Sequence, residues 1–121
     1  MTSMYTYSYA RVLHPSTPNG FCEGRNTGML EKDIERRLGE MIRARGGLYF
    51  KFASPNSPGV PDRLVIIPGG RIIFVELKTV SGVLSAVQER IIGVMRRQGA
   101  QVRVIKGWED AKAFAEEVMP T

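Results

Sequence analysis

The segment from Gly59 to Lys78 constrains this chain more than any other. It holds two apolar runs, Leu64 to Ile67 and Ile72 to Val75, separated by Pro68-Gly69-Gly70. Val and Ile favour strands, and a short Gly-containing link between two strands makes a hairpin. Folded symmetrically about Gly69, the hairpin sets Leu64 opposite Phe74, Ile66 opposite Ile72 and Asp62 opposite Glu76. Directly opposed Cβ atoms lie about 4.5–5.5 Å apart, so two carboxylates meet on one face. Lys78, two residues past Glu76, points to that same face. One face carries Leu64, Ile66, Ile72 and Phe74; the other carries Val65, Ile67, Ile73, Val75 and Leu77. With both faces apolar, the hairpin is expected to be buried on both sides. Charges beside such a core need partners, and two adjacent carboxylates repel one another. Lys78 is one candidate counter-charge. A divalent hard cation, Mg²⁺ or Mn²⁺, held by one or two carboxylates with waters and a substrate phosphate, is the better one.

The rest of the chain supplies what surrounds the hairpin. Helical spacing over Leu30 to Arg45 puts Ile34, Leu38, Met41 and Ile42 on one stripe, ended by Gly46-Gly47. At about 100° per residue, Glu31 falls roughly 35° from the stripe centre and Glu35 roughly 75° away. Glu31 is therefore the acid expected beside the buried face. Leu48 to Ala53 reads as a strand containing Lys51. The loop from Ser54 to Gly59 delivers Pro61-Asp62, and Pro61 suits a strand entrance because it lacks an N–H. Ser85 is an N-cap candidate for a second helix, Ala86 to Gln98, with Gln88 and Glu89 just inside it. Gln101 to Lys106 is a last strand, and Trp108 to Val118 a third helix. The order α-β-β-β-α-β-α gives an α/β fold, a mixed β-sheet flanked by helices, with one parallel crossover between Ile72 and Lys106.

At 121 residues the chain is one domain's worth of sequence. Residues 1–28 lack any sustained period and read as a loosely ordered arm; organised sequence starts at Met29, which is itself an alternative start. Tyr5, Tyr7 and Tyr9 belong to this arm, as does His14, the single histidine. The single Cys22 excludes an intramolecular disulfide and any zinc site built on cysteines, and suits a reducing cytoplasm. No apolar run approaches the roughly 20 residues of a membrane span, and the N-terminus lacks the basic and apolar regions of a signal peptide. The formal net charge is +5, and arginine supplies twelve of the seventeen basic residues, which suits a phosphate-bearing partner. Lys51 and Arg63, with Ser54, are candidates for holding phosphates at the acid-bearing sheet end.

These residues also carry a resemblance. Glu31-x-x-Ile34-Glu35, Gly46-Gly47, Lys51-Phe52, Ser54-Pro55, Gly59-x-Pro61-Asp62-Arg63, Pro68-Gly69-Gly70, Phe74-x-Glu76-Leu77-Lys78 and Gln88 follow one another at short spacings. Together, over Met29 to Val118, they resemble a stand-alone VRR-Nuc domain of the PD-(D/E)XK nuclease superfamily. The resemblance implies a restriction-endonuclease-like core and a metal-dependent phosphodiesterase. It implies that Asp62, Glu76, the Leu77 backbone carbonyl and Glu31 hold Mg²⁺ or Mn²⁺. Lys78 would orient or activate the attacking water, and Gln88 would line the site. It implies a homodimer of phage or bacterial type acting inside the cell on duplex or branched DNA, such as flaps and four-way junctions, with no nucleotide cofactor. A DNA-binding module without catalysis, a restriction-like enzyme and an RNA-directed nuclease are the alternatives on the same scaffold.

Overall fold

Apolar periodicity and turn chemistry decide the elements in turn. In the computed structural model, which describes residues 29–120, Ile34, Leu38 and Ile42 fall on one side of helix α1 (Glu31–Ala44) and are fully buried. Strand β1 (Leu48–Lys51) follows, then β2 (Arg63–Ile67) and β3 (Arg71–Lys78). Helix α2 (Ala86–Arg97) leads to β4 (Val102–Lys106) and helix α3 (Gly107–Val118). This is the α-β-β-β-α-β-α order expected. The sheet order is β1-β2-β3-β4, antiparallel except for the parallel pair β3/β4 joined through α2.

The hairpin closes in the register expected from its sequence. Leu64 pairs with Phe74, Val65 with Ile73 and Ile66 with Ile72. Gly69 and Gly70 both have φ near +95° (100° and 91°), so the turn after Pro68 uses backbone that side-chain-bearing residues avoid. One face of the sheet is a true interior: Val65, Ile67, Ile73, Val75, Leu77 and Ile105 pack with α1 and with Ala111, Phe114, Ala115 and Val118 of α3. Burial on both faces, however, does not hold. Leu64, Ile66 and Phe74 are only half-buried, and Ile72 is 47% exposed. The reason is coverage: α1 and α3 share the first face, whereas the second receives the 12-residue α2, whose Ile92 is buried near Val102.

The two sheet edges have arginines on their outward carbonyls. Arg43 Nη2 donates to Tyr49 O at 3.0 Å, and Arg96 Nη2 donates to Val102 O at 2.8 Å. Occupied edge carbonyls are poor templates for a foreign strand. Among the described residues no helix is long and apolar enough to cross a membrane. The arm, His14 and Cys22 lie outside the described residues.

Candidate active site

The site is built where β2 begins and β3 ends. Alternation along β3 turns Ile73, Val75 and Leu77 into the core and Glu76 and Lys78 to the opposite face. Glu76 is 5% exposed, yet it is a carboxylate. Gln88 Nε2 donates to Glu76 Oε2 at 3.0 Å, and Lys78 Nζ lies 3.7 Å from the same oxygen. Gln88 is held in turn by the start of α2. Its Oε1 accepts from the Ser85 N–H at 2.9 Å, while its own N–H donates to Ser85 Oγ at 3.1 Å. A capping box therefore aims an amide at Glu76.

Asp62 stands across the hairpin mouth. Its peptide carbonyl is fixed by two donors, Phe52 N at 2.8 Å and Arg63 Nη1 at 2.9 Å, and its side chain is half-exposed. The Asp62 backbone amide favours the ionised form of Glu76. Burial pushes the Glu76 carboxyl above the usual carboxylate range, and the negative charges of Asp62 and Glu31 push the same way. Lys78 and the Asp62 N–H oppose them.

Arg63 takes a different position from a surface phosphate contact. It is 6% exposed and points to the α1 side of the sheet. Nη1 donates to Asp62 O and lies 3.5 Å from Asp62 Oδ2; Nη2 is paired with Glu35. Burial holds the guanidinium below its ordinary range, against the raising effect of Glu31 and Glu76. The acid of α1 in direct contact with this network is therefore Glu35, not Glu31, which is exposed and acts on Arg63 and Glu76 through space. Sequence reasoning passed over Glu35. Its signal was its position one helical turn after Glu31, which puts both on one side of α1 at the same sheet end.

The other expected residues fall around this centre. The Leu77 side chain is buried in the core at 2% exposure, between Glu76 and Lys78 along the strand. Lys51 is exposed on β1 in register with Arg63, which sets it on the α1 face of the sheet and not on the face of Glu76 and Lys78. Ser54 is half-buried in the loop after β1, its carbonyl accepting from Ser57 N at 3.1 Å. Among the described residues no three His, Cys, Asp or Glu side chains converge as a complete ligand cage. The donor set suits a hard cation held by one or two carboxylates with water and phosphate completing its shell.

The whole is an α/β fold, a four-stranded mixed sheet flanked by three helices, with two acids and a lysine at one end. The model of the VRR-NUC domain family matches residues 5–109, and the chain belongs to that family of nuclease domains. The match begins well ahead of Met29, where the motif resemblance starts. A solved VRR_NUC domain structure is 32% identical with a TM-score of 0.67, covering 71% of this chain and 94% of that one. A protein named "Putative nuclease p44", from Acyrthosiphon pisum secondary endosymbiont phage 1, is 54% identical over 48 residues, 40% of this chain. The aligned stretch spans about half of that curated relative, 52% of its length.

Proposed function

We propose that this nuclease domain is a divalent-metal-dependent endonuclease that hydrolyses phosphodiester bonds in DNA. The observation that carries the reading is Glu76, a buried carboxylate with a second carboxylate, Asp62, beside it and incomplete positive compensation. Four carboxylates, Glu31, Glu35, Asp62 and Glu76, are electrostatically linked there with two cations, Arg63 and Lys78. The surplus of two negative charges equals one Mg²⁺ or Mn²⁺. Asp62 and Glu76 would hold the ion, with the Leu77 carbonyl and Glu31 on either side.

The bound ion would supply Lewis acidity, lowering the pKa of a bound water and offsetting charge on the phosphoryl oxygens. The chain's own residues do the rest. Gln88 holds the Glu76 carboxylate in one orientation through its cap. Lys78 sits beside Glu76 with an ammonium able to orient the attacking water or meet charge developing on the phosphate. The formal net charge of +5 favours a polyanion. The preferred substrates are branched DNA, flaps and four-way junctions, in replication, repair or recombination, and the working form is a homodimer. A two-fold enzyme would match a two-fold junction.

The test is cleavage of labelled duplex, flap, splayed and four-way DNA, with matched RNA strands, in Mg²⁺ or Mn²⁺. The branched DNAs should be cut, and Lys78→Ala should be slower by about 10²–10⁴-fold. Binding without cleavage under either metal would leave a DNA-holding module in place of an enzyme. Equal cutting by wild type and variant would remove Lys78 from the chemistry.

A further inference from the structure

We infer that Glu35 is a positioning residue that limits Arg63 to one long contact with the Asp62 carboxylate, and so keeps the acid pair open to a cation. The inference rests on the reading of the site as a cation site and concerns residues that take no part in the expected ligand set.

The argument begins with what Arg63 could do. A guanidinium is a rigid planar fork, and its strongest use is a bidentate pair with a carboxylate. The nearest carboxylate in sequence is Asp62, and Arg63 does not pair with it in that way. Nη1 is directed to the Asp62 backbone carbonyl at 2.9 Å, with the Asp62 carboxylate oxygen at the longer distance of 3.5 Å. Nη2 is held by Glu35 from across the sheet end. Nε is buried with no hydrogen-bond partner among the described residues. An unmet buried donor is costly, so this pose is kept for its two Nη contacts. The Asp62 side chain, half-exposed at 50%, already lies within ion-pair distance of Nη1 and would gain Nη2 as a second partner were Glu35 removed. Glu35 and Asp62 are thus competitors for one guanidinium, and Glu35 holds it. The outcome fixes the Asp62 main chain through Nη1 while leaving the Asp62 carboxylate available on the other face.

The experiment is calorimetric titration of Mn²⁺ alone into wild type, Glu35→Gln, Arg63→Gln and the double variant, with a circular-dichroism melt of each. Glu35 is on a partly exposed helical position, so Glu35→Gln should fold. It should bind Mn²⁺ roughly tenfold more weakly, the size of coupling that contacting residues show. In the Arg63→Gln background the same Glu35→Gln change should alter Mn²⁺ affinity by less than about twofold, because its target is gone. Cleavage by Glu35→Gln should recover at saturating Mn²⁺, a change in metal requirement and not in kcat. Equal affinity for wild type and Glu35→Gln overturns the inference and leaves the cation site standing. An equal loss in both backgrounds overturns it too, making Glu35 a ligand itself. Absence of Mn²⁺ binding by wild type overturns the cation site and this inference together.

Discussion

Replacing Glu76 with glutamine should make the metal-free protein more stable while removing its activity. Glu76 is 5% exposed, and its burial is the largest reason its carboxyl is pushed up, with Asp62 second. Glutamine has the same shape and keeps an oxygen for Gln88 Nε2, which now sits 3.0 Å away. What is lost is the attraction to Lys78, at the long distance of 3.7 Å, and the smaller favourable effect of the Asp62 backbone amide on the ionised form. Removing a buried charge with incomplete compensation should stabilise by about 1–2 kcal/mol. For a domain of this size each 1 kcal/mol moves the Tm by about 4–8 °C. Mn²⁺ should reverse the order. At a hundredfold excess over its Kd it adds about 2.7 kcal/mol to wild type and little to the variant. The pH dependence has a definite sign. A carboxyl raised on folding binds protons more tightly in the folded state, so wild type loses stability as pH rises from the ordinary glutamate value of about 4.3 through the raised one. The advantage of Glu76→Gln should therefore vanish below that range and be full at neutral pH. Thermal melts with and without Mn²⁺, at neutral and acid pH, measure all of this. A lower Tm for Glu76→Gln in metal-free neutral buffer, or an advantage that grows on acidification, would refute the reasoning.

Two further substitutions probe the supports of the site. Gly59→Ala adds a Cβ at φ 95° that would stand 2.8 Å from Val87 Cγ1 and 2.9 Å from Val87 O. It should cost about 1–3 kcal/mol, read as a lower Tm, and slow cleavage by shifting Pro61-Asp62 away from α2; an unchanged Tm would show that this contact is slack. Gln88→Glu retains a capping-box acceptor for Ser85 N but faces Glu76 with a carboxylate in place of an N–H donor. Its melt should fall by about 1 kcal/mol at neutral pH and recover towards acid pH, as one of the two carboxylates protonates.

The parts of the site that could be read from sequence are those fixed by local periodicity. The hairpin register followed from two apolar runs and a glycine turn, and it paired Asp62 with Glu76 in advance of any coordinates. The capping box of Ser85 and Gln88 followed from spacing, whereas a place for Gln88 in the site came only from the family resemblance. What escaped was decided by tertiary packing. Glu31 and Glu35 differ by one turn of one helix, and angular distance from the apolar stripe favoured Glu31. Which of the two touches Arg63 depended on where that arginine pointed, which is a matter of which face of β2 meets α1. Arg63 itself read as a phosphate contact because a sequence gives an arginine's charge but not its burial. The half-open face of the sheet was missed for a related reason. Ile72 is as apolar as Ile73, and only the layout of three helices over two faces leaves one of them 47% exposed.

All three helices begin at the same end of the sheet. Glu31 at the start of α1 acts on Glu76 and Arg63, Ser85 at the start of α2 holds Gln88 against Glu76, and α3 starts directly after Lys106, in register with Lys78. Each helix start carries a partial positive charge of its peptide dipoles. The molecule is therefore polarised along its strands, with backbone positive ends gathered at the end that carries Glu31, Asp62 and Glu76. Such an end can favour ionised acids and draw in a polyanion at once. The opposite pole is the Pro68–Gly70 turn, exposed and remote from the acids, where Cβ atoms on Gly69 and Gly70 would meet nothing within 4 Å. A label or short insertion belongs there, since exposed tips of this kind tolerate change and the acid-bearing end would be left as it is.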